Sequence, residues 1–179
     1  MDKSTKRLIE LLDQSGAKLH RLLTRITLRP DVADDLLQEV FLKLQATQPF
    51  HKVGNPNAYV FRTAINMAFD WRRSQSGKKH RSIDVDLIEV IGSDPAISLI
   101  HREEVEQILS AMQELSETDR DLLVMRYIEG MSPDEIAVEW GRTGHQIRAI
   151  CSKAISRLRR LVARSDCSLG SPETTNVRA

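Results

Sequence analysis

The apolar residues of this chain recur at intervals of three and four almost from end to end, the spacing that gathers side chains on one face of an α-helix. From Arg7 to Ile26, one stripe is formed by Leu8, Leu11, Leu12, Leu19, Leu22, Leu23 and Ile26, softened only by Gly16. Arg29-Pro30-Asp31 closes that helix and opens a second, with Asp31 as its expected N-cap and Asp34 at the favourable end of the dipole. The second helix runs through Leu36, Leu37, Val40, Phe41 and Leu44, and the Pro-, Gly- and Asn-bearing stretch QATQPFHKVGNPN after it reads as a loop. A third helix spans about Asn57 to Arg73, with Phe61, Ala64, Ile65, Ala68 and Trp71 toward a core.

Between Arg73 and Pro95 the periodicity fades into SQSGKKHRSIDVDLIEVIGSDP, whose Gly, Ser, Asp and Pro content is that of a linker. Helical spacing returns at Ile97, Ile100, Val105, Ile108, Leu109 and Met112, and Ser116 with Asp119 stands like the two ends of a capping box. No strand pattern, tandem repeat or low-complexity run interrupts the series. The expected fold is therefore all-α, with two small helical domains over residues 1–80 and 97–163, a linker at 81–96, and a disordered end at 164–179.

The run SPDEIAVEWGRTGHQIRAICSKAI, Ser132 to Ile155, carries the densest local information. Ser132 suits an N-cap, Pro133 the first helical position, and Glu135 the return arm of a capping box. Gly141 can take a left-handed conformation and end this short helix, after which Thr143 can cap the next. In that next helix Ile147, Ile150, Cys151, Ala154, Ile155 and Leu158 line one side, while His145, Gln146, Arg148, Ala149, Ser152 and Lys153 occupy the other. Short helix, glycine turn and a second helix with a polar, basic face make a helix-turn-helix, which places its second helix in the DNA major groove. A plain helical hairpin with a solvated face is the competing account; capping, glycine spacing and charge together favour DNA binding.

Charge sharpens this picture. The formal net charge is only +1, yet two blocks are basic without a single acid. One, Trp71 to Ser82, holds Arg72, Arg73, Lys78, Lys79 and Arg81; the other, Trp140 to Arg164, holds Arg142, Arg148, Lys153, Arg157, Arg159, Arg160 and Arg164. The intervening stretch is mostly acidic. Two separated basic blocks, each finishing a helical pattern, point to two contacts on one polyanion, and the acidic linker has the sign to screen them.

Other chemistries fall away. No apolar run reaches the roughly 18 residues of a membrane span, and MDKSTKRLIELLDQ lacks the apolar stretch of a secretory signal, so a cytoplasmic protein outside the membrane is expected. Two cysteines, Cys151 on an apolar stripe and Cys167 in a polar end, make no disulfide framework and are expected to be reduced. His101 with Glu104 and His145 with Cys151 match no zinc or nucleophile spacing, and no phosphate-binding loop is present. Neither catalytic residues, metal nor cofactor is expected.

Three stretches then point to a family. VADDLLQEVFLKLQ (Val32 to Gln45) followed by NAYVFRTAINMAFDWRR (Asn57 to Arg73) resembles sigma factors of the small, two-domain extracytoplasmic-function group. LSETDRDLLVMRYIEGMSPDEIAVEWGRT (Leu115 to Thr143) resembles the promoter-reading C-terminal domain of the same family, and the likeness covers nearly all of residues 5–162.

The resemblance implies roles residue by residue. Asp35, Gln38 and Glu39, within a D-L-x-Q-E-x-F pattern that includes Leu36 and Phe41, would dock on the beta-prime clamp of core RNA polymerase, with the C-terminal domain on the beta flap. Arg62, Asn66, Asp70, Arg72 and Arg73 would handle the melted minus-ten element, and Phe50, His51, Lys52 and Asn55 of the preceding loop would hold a flipped base. Thr143, His145, Gln146, Arg148, Ala149, Ser152, Lys153 and Arg157 would approach the minus-thirty-five element, Arg157 with Arg159 and Arg160 serving backbone or polymerase. Arg142 in the turn and Ile150 two places after Arg148 depart from the usual pattern, and HQIRAICSKAISRL is closer to the iron-starvation subgroup, whose members pair with an inner-membrane anti-sigma regulator. An anti-sigma factor is accordingly an implied partner. Two other readings remain beside this one: a stand-alone helix-turn-helix regulator, and a helical adaptor that binds protein alone.

Overall fold

The structure is a computed structural model that describes residues 3–46, 54–75 and 95–169, with side chains over 6–46, 54–75 and 102–165. Among the described residues seven α-helices follow in order: α1 (Lys3–Thr27), α2 (Pro30–Ala46), α3 (Pro56–Gln75), α4 (Pro95–Met112), α5 (Glu117–Leu123), α6 (Pro133–Trp140) and α7 (Gly144–Leu169). A single π-helical turn, Val124–Ile128, continues α5. There is no strand among the described residues, as the all-α expectation requires. Most of the linker (81–94) and the chain end (170–179) lie outside them, as do Phe50, His51 and Lys52.

Helices α1, α2 and α3 pack mutually because each presents one apolar stripe. Leu8, Leu19, Leu22, Leu23 and Ile26 of α1 meet Ala33, Leu36, Val40 and Leu44 of α2 and Val60, Ala64, Ile65, Ala68 and Phe69 of α3, all of them buried. Complete burial of a Leu or Phe side chain contributes about 1.5–3 kcal/mol, so this three-helix layer carries a core of its own. At the end of α1 Leu28 takes φ 58°, the left-handed geometry of a helix terminus, and its N–H donates to Thr24 O at 2.8 Å. The next helix starts one residue before the expected cap: Ala33 N–H reaches Arg29 O at 3.0 Å, so Pro30 opens α2 and Asp31 lies inside its first turn. Proline's fixed φ is preorganised for that first position. Asp31 instead pairs with the Arg29 guanidinium, which holds its carboxyl below the usual carboxylate range.

In the C-terminal half, α6 and α7 close over a small core of Leu122, Met125, Ile136, Ala137, Ile147 and Cys151. Ser132 caps α6 in both directions, its Oγ accepting from Glu135 N–H at 3.2 Å while Glu135 accepts from Ser132 N–H at 2.7 Å. Gly141, at φ 61°, ends the helix in the left-handed region. At α5 the capping is one-sided: Ser116 Oγ accepts from Asp119 N–H, but the Asp119 carboxylate is drawn away to Arg157 at 2.7 Å. A full cation across the fold outcompetes a backbone amide for that carboxylate. Helix α7 continues to Leu169, beyond the position 164 at which a disordered end is expected; half-buried Leu161 and Val162 extend its apolar side.

The two halves are not separated by a gap. Buried residues of α1–α3 run on into Leu109, Met112, Leu115, Leu123, Val124 and Ala154 of the C-terminal half, forming one continuous apolar cluster. Arg25 adds a polar tie, donating to Ile128 O at 2.7 Å.

Two glycines yield opposite expectations for one substitution. A Cβ at Gly16, inside α1, would meet nothing within 4 Å, so Gly16→Ala should stabilise the chain by about 0.5–1 kcal/mol. Gly141→Ala should destabilise it by about 1–2 kcal/mol, because an L-residue pays that cost in the left-handed region. Urea denaturation of both variants checks the pair of signs.

Candidate nucleic-acid interface

Helix α7 is set by its own N-terminus. Thr143 Oγ1 accepts from Gln146 N–H at 3.2 Å, and Gln146 Oε1 accepts from Thr143 N–H at 3.0 Å, a second reciprocal capping box. The Thr-x-x-Gln spacing was present in the chain, yet Gln146 is expected from its position to be purely a groove-facing side chain. Ile147, Cys151 and Ala154 are buried, which rotates His145, Gln146, Arg148, Ala149, Ser152 and Lys153 outward, all of them exposed. Arg148 lies 3.8 Å from the Asp134 carboxylate of α6, and Arg157 is committed to Asp119. Cys151, buried on the inner side, has its thiol pushed up by desolvation.

On α2, Asp35, Gln38 and Glu39 are exposed together along one face, beside an apolar groove lined by Leu12, Gly16, Leu37, Phe41 and Leu42. They form a free carboxylate and amide edge suited to arginines of a partner. Asp34 is turned to another neighbour, with His20 Nε2 3.1 Å from its Oδ1.

Helix α3 departs from expectation. Asn55 Oδ1 accepts from Ala58 N–H at 3.1 Å and so caps this helix. Asp70 and Arg73 are exposed and pair with each other at 3.1 Å. The remaining three, expected to face melted DNA, face the C-terminal half instead. The Arg62 guanidinium stands 3.6 Å over the Trp140 ring, and Asn66 Oδ1 accepts from Arg120 Nη2 at 2.5 Å. Arg72 is 5% exposed, forked on Glu106 at 2.9 and 3.4 Å with Ile26 O as a third acceptor at 3.2 Å. The reason is positional: Arg72 falls on the stripe of Ile65, Ala68 and Phe69, three residues beyond the last of them, and α4 lays a carboxylate against it. Tyr59, Phe61 and Trp71 are half-buried against the core and Phe69 is fully buried, under Arg120 at 4.8 Å.

This junction is electrostatically tense. Asp121, 4% exposed, is pushed up to about 7 by desolvation, against the pull of Arg120 and Arg62. Burial likewise raises Glu139 of α6, with Arg62 opposing, and lowers the Arg120 guanidinium, which nevertheless stays charged. Sequence alone gave no sign of Glu106, Arg120 or Trp140 as members of this cluster, since their partners on α3 are distant in the chain, 34 residues for Glu106 and 54 for Arg120, with Arg62 further still from Trp140. No group of three or more metal-ligating side chains occurs among the described residues, and no described helix is long and apolar enough to cross a membrane.

Two stretches of the chain match known families. Residues 11–78 match the family Sigma-70 region 2, and residues 111–160 match Sigma-70, region 4. The chain is 25% identical over 147 residues to the ECF RNA polymerase sigma factor SigM of Bacillus subtilis, covering 82% of this chain and 89% of that protein. It is 26% identical over 133 residues to the ECF RNA polymerase sigma factor SigX of the same organism, covering 71% and 69%. Among solved structures, CnrH in complex with the cytosolic domain of CnrY aligns at a TM-score of 0.48 and 19% identity, over 90% of this chain and 91% of that one.

Asp121 sets a pH dependence. Its folded pKa of about 7 exceeds the 3.8 of an ordinary aspartate, so the folded chain binds the extra proton and loses stability as pH rises from about 4 through 7. Asp121→Asn should flatten this decline and raise Tm at pH 8, by about 2–4 °C for each kcal/mol of relieved desolvation, with little change at pH 4. Thermal unfolding of both chains across that range measures it.

Proposed function

We infer how this chain works from the family to which it belongs: it is a sigma-70 factor of the extracytoplasmic-function group, an alternative sigma factor that binds core RNA polymerase and directs promoter recognition and transcription initiation. The role is not enzymatic; the polymerase supplies the phosphoryl chemistry and the sigma subunit supplies placement and strand opening. The observation that carries the reading is the succession of the region 2 and region 4 matches, the second ending on a helix-turn-helix whose polar α7 face is exposed.

The residue roles follow by proposal. Asp35, Gln38 and Glu39 engage the beta-prime clamp, an assignment supported by their shared exposure on α2. Arg62, Asn66, Asp70, Arg72 and Arg73 handle the minus-ten element, joined by the loop residues Phe50, His51 and Lys52 and by Asn55 at the start of α3. Thr143 and Gln146 anchor the N-terminus of α7, while His145, Arg148, Ala149, Ser152 and Lys153 meet the minus-thirty-five element in the major groove. Arg157, Arg159 and Arg160 serve the DNA backbone or the polymerase, and the C-terminal half meets the beta flap. The division 1–80, 81–96, 97–163 and 164–179 assigns clamp and minus-ten contacts to the first part and minus-thirty-five contacts to the third.

Regulation is proposed to run through an anti-sigma factor, at the inner membrane if the iron-starvation likeness of HQIRAICSKAISRL holds, with the chain itself working in the cytoplasm beside the polymerase. Transcript profiles under iron limitation decide the subgroup.

Run-off transcription with purified core polymerase on a genomic promoter library tests the whole assignment. The wild-type chain should start transcripts at a small promoter set. Glu39→Arg should abolish them through loss of core binding, and Arg148→Glu through loss of promoter recognition with core binding intact. A wild-type chain that neither binds core nor yields transcripts would remove the reading.

A further inference from the structure

We propose that Asp134 of α6 is a positioning residue for promoter reading: its carboxylate holds the Arg148 guanidinium against the first turn of α7, disfavours its capture by phosphates and so reserves its donors for a guanine of the minus-thirty-five element. The proposal rests on the sigma reading above and deepens it at one residue.

The Asp134 carboxylate is free to reach from one helix to the next. Ser132 and Glu135 complete the capping box of α6 between themselves, which leaves Asp134, the second residue of that helix, outside it. Asp134 lies instead over Gly144, the first residue of α7. A Cβ at Gly144 would stand 1.8 Å from Asp134 Oδ1 and 3.0 Å from its Cγ, so any other residue there displaces the carboxylate. Gly144 has no positive φ, and the close approach rather than the backbone is what calls for glycine. Arg148 follows one turn later, and helical side chains lean toward the N-terminus over the residue four before them. Its Nη1 is accordingly 3.5 Å from where that Cβ would be and 3.8 Å from Asp134 Oδ1.

Such a contact acts on recognition more than on folding. With the two side chains 57% and 78% exposed, the pair adds little to the stability of the fold. At 3.8 Å it is an ion pair and not a hydrogen bond, so the carboxylate orients the guanidinium without consuming its N–H donors. An arginine reads guanine by a two-pronged contact to O6 and N7, and it reads no sequence when it sits on a phosphate. An unrestrained arginine on an exposed helix face can take either. A fixed negative charge beside it repels phosphate and leaves the base edge open, the kind of repulsive element from which specificity is built. Holding the head in place also reduces the side-chain ordering that binding costs. Asp134 therefore lowers the general attraction to DNA while raising discrimination at one base pair.

The test is run-off transcription by core polymerase loaded with the full chain, on a promoter pool in which the minus-thirty-five positions are randomised. The readout is the base preference at each position, a ratio among transcripts that a change in total yield does not move. Arg148→Ala should erase the preference at one position, a G·C pair, and so identify the base that Arg148 reads. Asp134→Asn, which removes the charge, and Gly144→Ala, which pushes the carboxylate aside, should each lower the preference at that same position by about three- to tenfold. Every other position should stay within about twofold. Neither change should add to the loss in Arg148→Ala chains, and Gly144→Ala should have no effect once Asp134→Ala has removed the group that it displaces. Preference kept at that position in either single variant, or a further loss from Asp134→Asn in Arg148→Ala chains, would overturn the positioning role while leaving the sigma reading intact. Failure of the sigma reading would show differently, as a wild-type chain that yields no transcripts from any member of the pool, and it would take this proposal with it.

Discussion

A guanidinium sealed from water governs how the two halves of this chain meet. Arg120 keeps 2% of its surface, and desolvation works against its charge, yet it cannot shed its proton. A buried charge is tolerated only with close partners, and its direct ones, Asn66 Oδ1 and the Phe69 ring, both belong to α3. The position of α5 on α3 follows from that demand. The same demand makes the contact soft, because separation returns Arg120, Asp121 and Arg62 to water, the solvent that charged groups prefer. Apolar burial by Leu109, Met112 and Leu115 favours docking while the polar centre offsets it, a balance typical of interfaces meant to part.

Around that junction the rest of the C-terminal half is fixed by local hydrogen bonding. Two capping boxes, at Ser132 and Thr143, with the left-handed Gly141 between them, set the angle between α6 and α7 over very few residues. Because both helix starts are satisfied by their own side chains, the geometry of the reading head does not depend on DNA to complete it. The small core of Ile136, Ala137, Ile147 and Cys151 then needs only to hold two short helices together.

Much of this was legible in the chain. Apolar spacing located the helices, and the Ser-Pro-x-Glu start and glycine turn of the helix-turn-helix carried their own chemistry. What escaped was partnership. Periodicity says which face of α3 carries Arg62 and Asn66 but not what lies across from it, and Arg72 was grouped with exposed Arg73 by its charge although its spacing sets it on the buried stripe of Ile65, Ala68 and Phe69. Glu106 and Arg120 sit on helices whose charges read as solvated; only the fold brings them to α3. Asp119 shows the same limit, since its cap spacing was right while Arg157 claimed the carboxylate.

The Thr143 box has one more result, in the arithmetic of donors and acceptors. A free glutamine amide offers both an acceptor and a donor, the pair that matches adenine's N6 amine and N7. In this chain Gln146 Oε1 is already taken by Thr143 N–H. That bond fixes the orientation of the amide, and although its oxygen keeps a second lone pair, the free rotation that a bidentate grip on adenine needs is lost while the bond holds. The cap that starts the helix thereby also orients the amide of the third residue of α7.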